Sequence, residues 1–421
     1  MVFKNCITIA FAFCFFSMAF AQDTTQQVVA GRVNSKEQTT KPYIILISAD
    51  GFRADLADKY QAYNLLRLRK QGVAASYMLP SFPSVTFPNH YTIITGLYPS
   101  HHGLVDNSFF DASRDTSYSM GNKKQVADPF WYGGTPLWVL AEKQHMLSAS
   151  FYWVASESNI QDTRPSYYYI YNDKIGIDSR IETVKNWLLL PEDKRPHLIT
   201  FYFPEVDHAE HLYGPDSKET EAAVHFVDES VGKLNAMAAS LHLPINFVFV
   251  SDHGMTVVDN KNTLKLPSSI DPSKFIIPSG DALVHLYAKD KKDILPTYQA
   301  LQKEARDFDV YLTEDMPKQW HYSRSDDHYN RIGDILLVPH LPKVFNLGNR
   351  STSLGKHGFD PGIPDMHASF YAWGPAFKNN MSISGFENVH VYPLIATILG
   401  LSWQKDMIDG KIEVLRPILK K

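Results

Sequence analysis

Three apolar runs in this chain stop on residues that could bind a metal ion or move a proton. Tyr43–Ala49 (YIILISA) is followed by Asp50-Gly51. His197–Phe203 (HLITFYF) is followed by Pro204-Glu205-Val206-Asp207-His208-Ala209-Glu210-His211. The run INFVFVS, beginning at Ile245, is followed by Asp252-His253-Gly254. A single aspartate at a strand end is commonly a cap or turn former, and Asp50 before Gly51 taken alone fits that reading. The repetition is what implies a site. Aspartate with histidine and without cysteine suits zinc, or manganese or iron. Asp207 and His211 are four apart, so one helical turn puts them on the same side. A further histidine, His357, lies in the glycine-flanked loop Gly355-Lys356-His357-Gly358-Phe359-Asp360. Two compact groups result, enough for two metal ions in one pocket. His208 competes with His211, whereas His90, His101 and His102 read as hydrogen-bonding or packing residues.

A nucleophile candidate lies in Pro80-Ser81-Phe82-Pro83-Ser84-Val85-Thr86-Phe87-Pro88-Asn89-His90-Tyr91. Thr86 stands where a helix N-cap is expected, with Pro88 early in the helix and Gly96 at its end. A hydroxyl there faces free backbone N–H groups and the positive helix end, which favour an alkoxide. Thr86 as a plain cap, and Ser81 or Ser84 as the hydroxyl, remain the alternatives on these grounds.

The elements that must position these residues alternate along the chain. Helical spacing runs over 54–70, 135–144 and 217–241, the last with Val224, Val227, Val231 and Leu234 on one face. Strand-like runs separate them, including 147–154 and 369–373, and a final helix spans 387–400. Continuous apolar strands between helices predict an α/β fold: a mostly parallel central sheet with helices on both faces. In such a sheet, ligands bind beyond the carboxyl ends of the strands. Residues 260–349 have shorter strands and more turns, and read as a smaller inserted cap subdomain.

The N-terminus has its own pattern. Lys4 precedes an apolar stretch, 7–20, that ends in Ala19-Phe20-Ala21, so residues 1–21 are expected to be a secretory signal peptide cleaved after Ala21. Both cysteines, Cys6 and Cys14, fall inside it; the mature chain would have no disulfide, thiolate ligand or cysteine nucleophile. Residues 22–41 are polar and aperiodic, predicting a flexible leader to a catalytic domain at 42–421. Export to the periplasm or the medium follows. The formal charge of the 421-residue chain is −4 and its basic residues are dispersed, which argues against a stable nucleic-acid partner.

The stretches ISADGFR, SVTFPNHY, FPEVDHAEHLYGPDS, FVSDHGM and GKHGFD…MHASFYAWGPAF, in this order, resemble the nucleotide pyrophosphatase/phosphodiesterase family of the alkaline phosphatase superfamily. The resemblance runs from about Pro42 to the C-terminus and implies an alkaline phosphatase-like core. It implies one zinc on Asp207, His211 and His357, preferring His211 to His208. It implies a second zinc on Asp50, Asp252, His253 and the nucleophile Thr86. Asn107, in Gly103-Leu104-Val105-Asp106-Asn107, would bind a phosphate oxygen, together with the Phe87 backbone N–H. Phe87 and Tyr167, the tyrosine of Arg164-Pro165-Ser166-Tyr167, would clamp a nucleobase, with Tyr168, Tyr169 and Tyr171 close by. The implied activity is a two-zinc phosphodiesterase/nucleotide pyrophosphatase acting on small nucleotide or phosphodiester substrates through a phosphothreonine. The apolar flank Phe87-Pro88, with no Arg or Lys beside Thr86, favours a diester over a monoester dianion. A phosphomonoesterase or a phospholipid head-group phosphodiesterase of the same superfamily is the alternative. A non-catalytic exported metal- or nucleotide-binding protein is the alternative from another class. There is no C-x-P-x-R or S-x-P-x-R sulfatase nucleophile motif.

Overall fold

The computed structural model describes residues 25–348 and 351–420. The expected signal peptide lies outside the described residues. Among them, no helix is long and apolar enough to cross a membrane.

A nine-stranded sheet forms the body. Its strands in chain order are β1 (Gln27–Val28), β2 (Tyr43–Ala49), β3 (Val73–Ala75), β4 (Ser148–Phe151), β5 (Tyr167–Tyr169), β6 (Leu198–Phe203), β7 (Ile245–Val250), β8 (Phe370–Trp373) and β9 (Met381–Ile383). In space the order is β1-β5-β4-β6-β2-β7-β8-β3-β9. The central run β5-β4-β6-β2-β7 is parallel, and β8 is antiparallel to both β7 and β3.

The apolar runs follow from burial on both faces. Along β2, Ile44 and Leu46 enter one core while Tyr43, Ile45, Ile47 and Ala49 enter the other. Along β7, Val248 and Val250 part in the same way from Phe247 and Phe249. Period-two side chains meeting apolar cover on each side favour apolar residues, and the buried polar exceptions in these two strands, Ser48 and Asn246, are hydrogen-bonded. Helices supply that cover. One face carries α2 (Thr86–Thr95) and α6 (Val391–Leu399); the other carries α1 (Tyr63–Gln71), α3 (Ile177–Leu188) and α5 (Lys218–Ala239). The stripe Val224, Val227, Val231 and Leu234 of α5 is fully buried, each side chain contributing roughly 1.5–3 kcal/mol. Ser217 caps α5 by accepting the Thr220 N–H at 3.1 Å. The helix α4 (Glu205–Tyr213) follows β6 directly.

Two expectations change. The helical spacing over 54–70 resolves into Leu56–Lys59 and α1, because Gln61 between them takes a left-handed backbone (φ 52°) that interrupts the helix. Residues 25–41, expected to be a flexible leader, are packed onto the body. β1 pairs antiparallel with β5, and buried Asn34 donates from Nδ2 to the Glu192 and Arg195 carbonyls while its Oδ1 accepts the Leu147 N–H. Backbone groups of the main domain satisfied by this segment hold a sequence that lacks any apolar period.

Between β7 and β8 lies a second, four-stranded antiparallel sheet of Phe275–Ile276, Val284–Ala288, Phe308–Leu312 and Ile335–Pro339, covered by the helix Ile294–Glu304. Phe275, Val284, Leu286, Leu301, Ile335 and Leu337 form its own small core. Leu336 and Val338, on the opposite face of the same strand, join the core of the main sheet, so the inserted sheet is bonded to the body along one side.

Candidate active site

The parallel register brings the site together. β2 lies between β6 and β7, with Ala49 beside Phe203 and Ser48 beside Val250. The residues that follow these strands therefore emerge as neighbours: Asp50 after β2, Asp207 and His211 on α4, and Asp252-His253 after β7. Asp50 enters at a tight turn. Gly51 has φ 71°, and a Cβ there would stand 3.0 Å from the Asp207 Cα, so only glycine allows this approach. Thr86 is the first residue of α2, preceded by Val85 in extended conformation as the N-cap. It sits one position further into the helix than expected. Gly96 ends the helix in the left-handed region at φ 70°.

The distances are short throughout. Nε2 of His253 lies 3.1 Å from Thr86 Oγ1, 3.0 Å from Asp252 Oδ2 and 3.5 Å from Asp50 Oδ1. Asp207 Oδ1 lies 3.4 Å from His211 Nε2 and 3.6 Å from His357 Nε2. The His253 and His357 rings stack at 3.6 Å. Two sets have ligating atoms within 4.8 Å of one another: Asp50, Asp252 and His253, and Asp207, His253 and His357. His253, lying between the two, belongs by distance to both. His208 faces the cavity beside the site.

Hydrogen bonding behind the site decides which atoms face it. Nδ1 of His211, His253 and His357 meets the carbonyls of Gly355, Gly254 and Ser84 at 2.9–3.0 Å. A carbonyl only accepts, so each Nδ1 carries a proton and each Nε2 is turned inward. Asp50 Oδ1, Asp207 Oδ1 and Asp252 Oδ2 are buried without hydrogen-bond partners. The other oxygens are held: Asp50 Oδ2 accepts from Tyr202 at 2.6 Å, and Asp252 Oδ1 from the Gly51 N–H at 3.2 Å. Apart from the Thr86 hydroxyl and the His90 ring, acceptor atoms thus converge without donors, an arrangement that a divalent cation reconciles. Carboxylate and imidazole donors without thiolate fit zinc and similar ions.

Burial and neighbouring charges shift the groups of the site. Burial, then the Asp252 and Asp207 carboxylates, push Asp50 well above the carboxylate range. Burial acts on Asp252 in the same sense, but His253 and His90 outweigh it and hold Asp252 well below that range. Burial lowers His253, and Asp252 more than reverses this. His357 is driven well down by burial and by the rings of His253 and His211.

Two partners of the site escape a reading of the sequence. His90 places Nδ1 3.2 Å from Asp252 Oδ2, and Ser48 Oγ lies 2.9 Å from its Nε2. Tyr202 binds Asp50. The available signals are slight: His90 lies one turn after Thr86, and Tyr202 is a phenol one residue before the end of an apolar strand. Asn107 places Oδ1 3.0 Å from the Phe87 N–H. That N–H, expected to meet a phosphate oxygen, is engaged by Asn107 instead.

The pattern for type I phosphodiesterase / nucleotide pyrophosphatase matches residues 44–360. The chain belongs to that family. An uncharacterized pyrophosphatase/phosphodiesterase of Schizosaccharomyces pombe is 32% identical, over 96% of this chain and 85% of the yeast protein. Human bis(5'-adenosyl)-triphosphatase ENPP4 is 33% identical over 89% of this chain and 82% of its own. Human ectonucleotide pyrophosphatase/phosphodiesterase family member 1 is 34% identical over 86% of this chain, which spans only 40% of that longer protein. The murine ectonucleotide pyrophosphatase/phosphodiesterase 5, solved as an inactive threonine-to-alanine variant with AMP, superposes with a TM-score of 0.84 at 27% identity, covering 90% of this chain and 100% of the murine one.

In this family member a cavity of about 360 Å³ opens beside Thr86, Asp50 and Asp207. Phe87, Tyr152, Trp153, Tyr169 and Tyr171 give it a largely aromatic wall. Tyr167 is not part of it. It starts β5, two residues before the carboxyl end; its ring packs with Trp187, and its hydroxyl donates to the Lys194 carbonyl at 2.9 Å. The strand reaches the cavity only at Tyr169 and the residues after it, Ile170 and Tyr171. Tyr171 is 41% exposed and rests edge-on against Tyr152 and Tyr202.

Proposed function

We propose that this chain is an exported, zinc-dependent phosphodiesterase/nucleotide pyrophosphatase that cleaves nucleotide substrates through a phosphothreonine on Thr86. The observation that carries the reading is the set of partnerless carboxylate oxygens and inward Nε2 atoms gathered around the Thr86 hydroxyl. Asp50, Asp252 and His253, with Thr86, would hold one Zn²⁺; Asp207, His211 and His357 would hold the other. Ions bound there lower the pKa of a nearby hydroxyl and offset charge on phosphoryl oxygens. Thr86 Oγ1 forms the new bond to phosphorus as the bond to the leaving oxygen breaks on the opposite side. Its place at the first residue of α2 sets the phosphoryl group against the positive end of the helix. Asn107, with Oδ1 occupied by Phe87, has its Nδ2 hydrogens left to meet a non-bridging oxygen. Water then breaks the Thr86–phosphorus bond and releases a nucleoside monophosphate.

The aromatic cavity fits a base between Phe87 and Tyr171 or Tyr169, and its apolar wall beside Thr86 favours a diester. The triphosphatase name of the human relative and the AMP bound in the murine one support a nucleotide substrate. Export rests on the basic, apolar and small-residue order of residues 1–21.

The test is turnover of thymidine p-nitrophenyl monophosphate against p-nitrophenyl phosphate by zinc-loaded protein, with acid quenching to trap the thymidylyl ester of Thr86 for mass spectrometry. Diester turnover with a thymidylate mass on the peptide holding Thr86 supports the reading. Faster monoester turnover, or full activity of Thr86→Ala, overturns it.

A further inference from the structure

The inserted sheet contributes nothing to the rim of carboxylates and imidazoles, yet side chains from its strands and loops grip the loop Gly103–Asn107. Arg331, fully buried, donates from its guanidinium to the Gly103 carbonyl at 2.9 Å and pairs with Asp111 at 2.7 Å. The Tyr322 hydroxyl donates to the Val105 carbonyl at 2.8 Å. His285 brings Nε2 to 3.3 Å from Asp106 Oδ2, both residues being buried. The other oxygen of Asp106, Oδ1, accepts the Asn107 N–H at 2.6 Å. On its far side His285 accepts the Gly333 N–H at Nδ1, 3.1 Å away. With Nδ1 an acceptor, the ring proton belongs on Nε2, which faces the carboxylate.

A buried carboxylate needs compensation, and the geometry sets beside it one ring nitrogen from the insertion, at ion-pair distance, and one N–H donor from Asn107 itself. Asn107 in turn holds the first turn of α2 through the Phe87 N–H, next to Thr86.

We infer that the inserted sheet positions Asn107, with His285 acting on it through the Asp106 carboxylate that the two residues share. His285 is thus a positioning residue, and the insertion is a brace for the phosphate-binding loop. This rests on the reading of Asn107 as a phosphate ligand.

A double-mutant cycle tests it, with diester kcat and KM, melting temperature and bound metal measured for each variant of the full chain. Asn107→Ala is expected to lower kcat about 100-fold. His285→Ala should lower kcat about 10-fold at unchanged metal content. The double variant should lose little more than Asn107→Ala alone, because both remove one interaction. His285→Gln, whose amide N–H can stand in for Nε2–H, should recover most of the loss. Leu301→Ala, cut from the insertion's own core, should lower the melting temperature and leave kcat within about 2-fold. Tyr322→Phe, which changes little volume, gives the same cycle if His285→Ala fails to fold. Losses that multiply fully, or a His285→Ala effect no larger than that of Leu301→Ala, would overturn the inference. A wild type without diester turnover would instead overturn the proposed function, and the same cycle on orthovanadate affinity would still decide the coupling.

Discussion

Two buried aspartate–histidine pairs flank Thr86, and they are opposites in hydrogen bonding. In Asp252–His253 the ring proton on Nδ1 goes outward to the Gly254 carbonyl, and Nε2 faces carboxylate oxygens. In Asp106–His285 the acceptor Nδ1 goes outward to the Gly333 N–H, and the proton faces the carboxylate. The first pair exposes lone pairs to a common center and is incomplete without a cation. The second turns its ring proton towards the carboxylate, as a structural brace does. A rotation of where one ring nitrogen finds its backbone partner separates a metal cradle from a support.

The largest expected consequence concerns the first pair. Chelation should lower diester turnover by about 10³-fold or more, restored by zinc, and should lower the melting temperature. At ion concentrations near 1,000 times the dissociation constant, the lost stabilisation is about 4 kcal/mol. Unchanged turnover and melting in chelator would erase the distinction between the pairs. Asp252→Asn should lose at least about 10²-fold in turnover together with bound metal. Asp106→Asn should keep its metal and lose about 10-fold, as metal analysis beside kinetics would read.

The tyrosines of residues 167–171 repeat the lesson, since identical side chains are separated by surroundings. Tyr171→Ala should raise KM for a nucleotide by about 10-fold, in line with roughly 1–3 kcal/mol for stacking one base. Tyr167→Phe should leave KM unchanged and cost about 1 kcal/mol of stability through the lost bond to Lys194. Equal KM effects would mean that the cavity wall is drawn in the wrong place.

A third histidine sharpens the contrast through pH. His102 accepts the Leu104 N–H at Nδ1, with Thr92 at Nε2, and burial lowers its pKa to about 3. The unfolded chain, near the ordinary value of about 6.5, binds the extra proton between these pH values. Stability is therefore full above about pH 6.5 and falls as pH drops towards 3, by at most about 1.4 kcal/mol per pH unit from this residue. Urea titrations at pH 7 and pH 5 should show that slope in the wild type and a shallower one in His102→Gln.

Much of this was legible in the chain. The apolar runs of β2, β6 and β7 follow from a strand buried on both faces, and a residue placed directly after such a run must stand at the sheet edge. Asp50, Asp207, Asp252 and His253 could therefore be located by counting. Tyr167 could not, because five residues of tyrosine and isoleucine carry no signal for where β5 stops and the cavity starts. Residues 25–41 misled for the same reason: their contacts are backbone bonds and an asparagine amide, which leave no apolar period.

Sequence alone determined the strand endings, the residue types gathered there and a helix starting beside Thr86, because these depend on local period and chain order. Only the tertiary structure decided which nitrogen of each histidine turns inward, which oxygens go without partners, and which loop the inserted sheet braces. Those outcomes depend on backbone groups brought from distant segments, and a donor or acceptor three ångströms away in space leaves no mark in the order of residues.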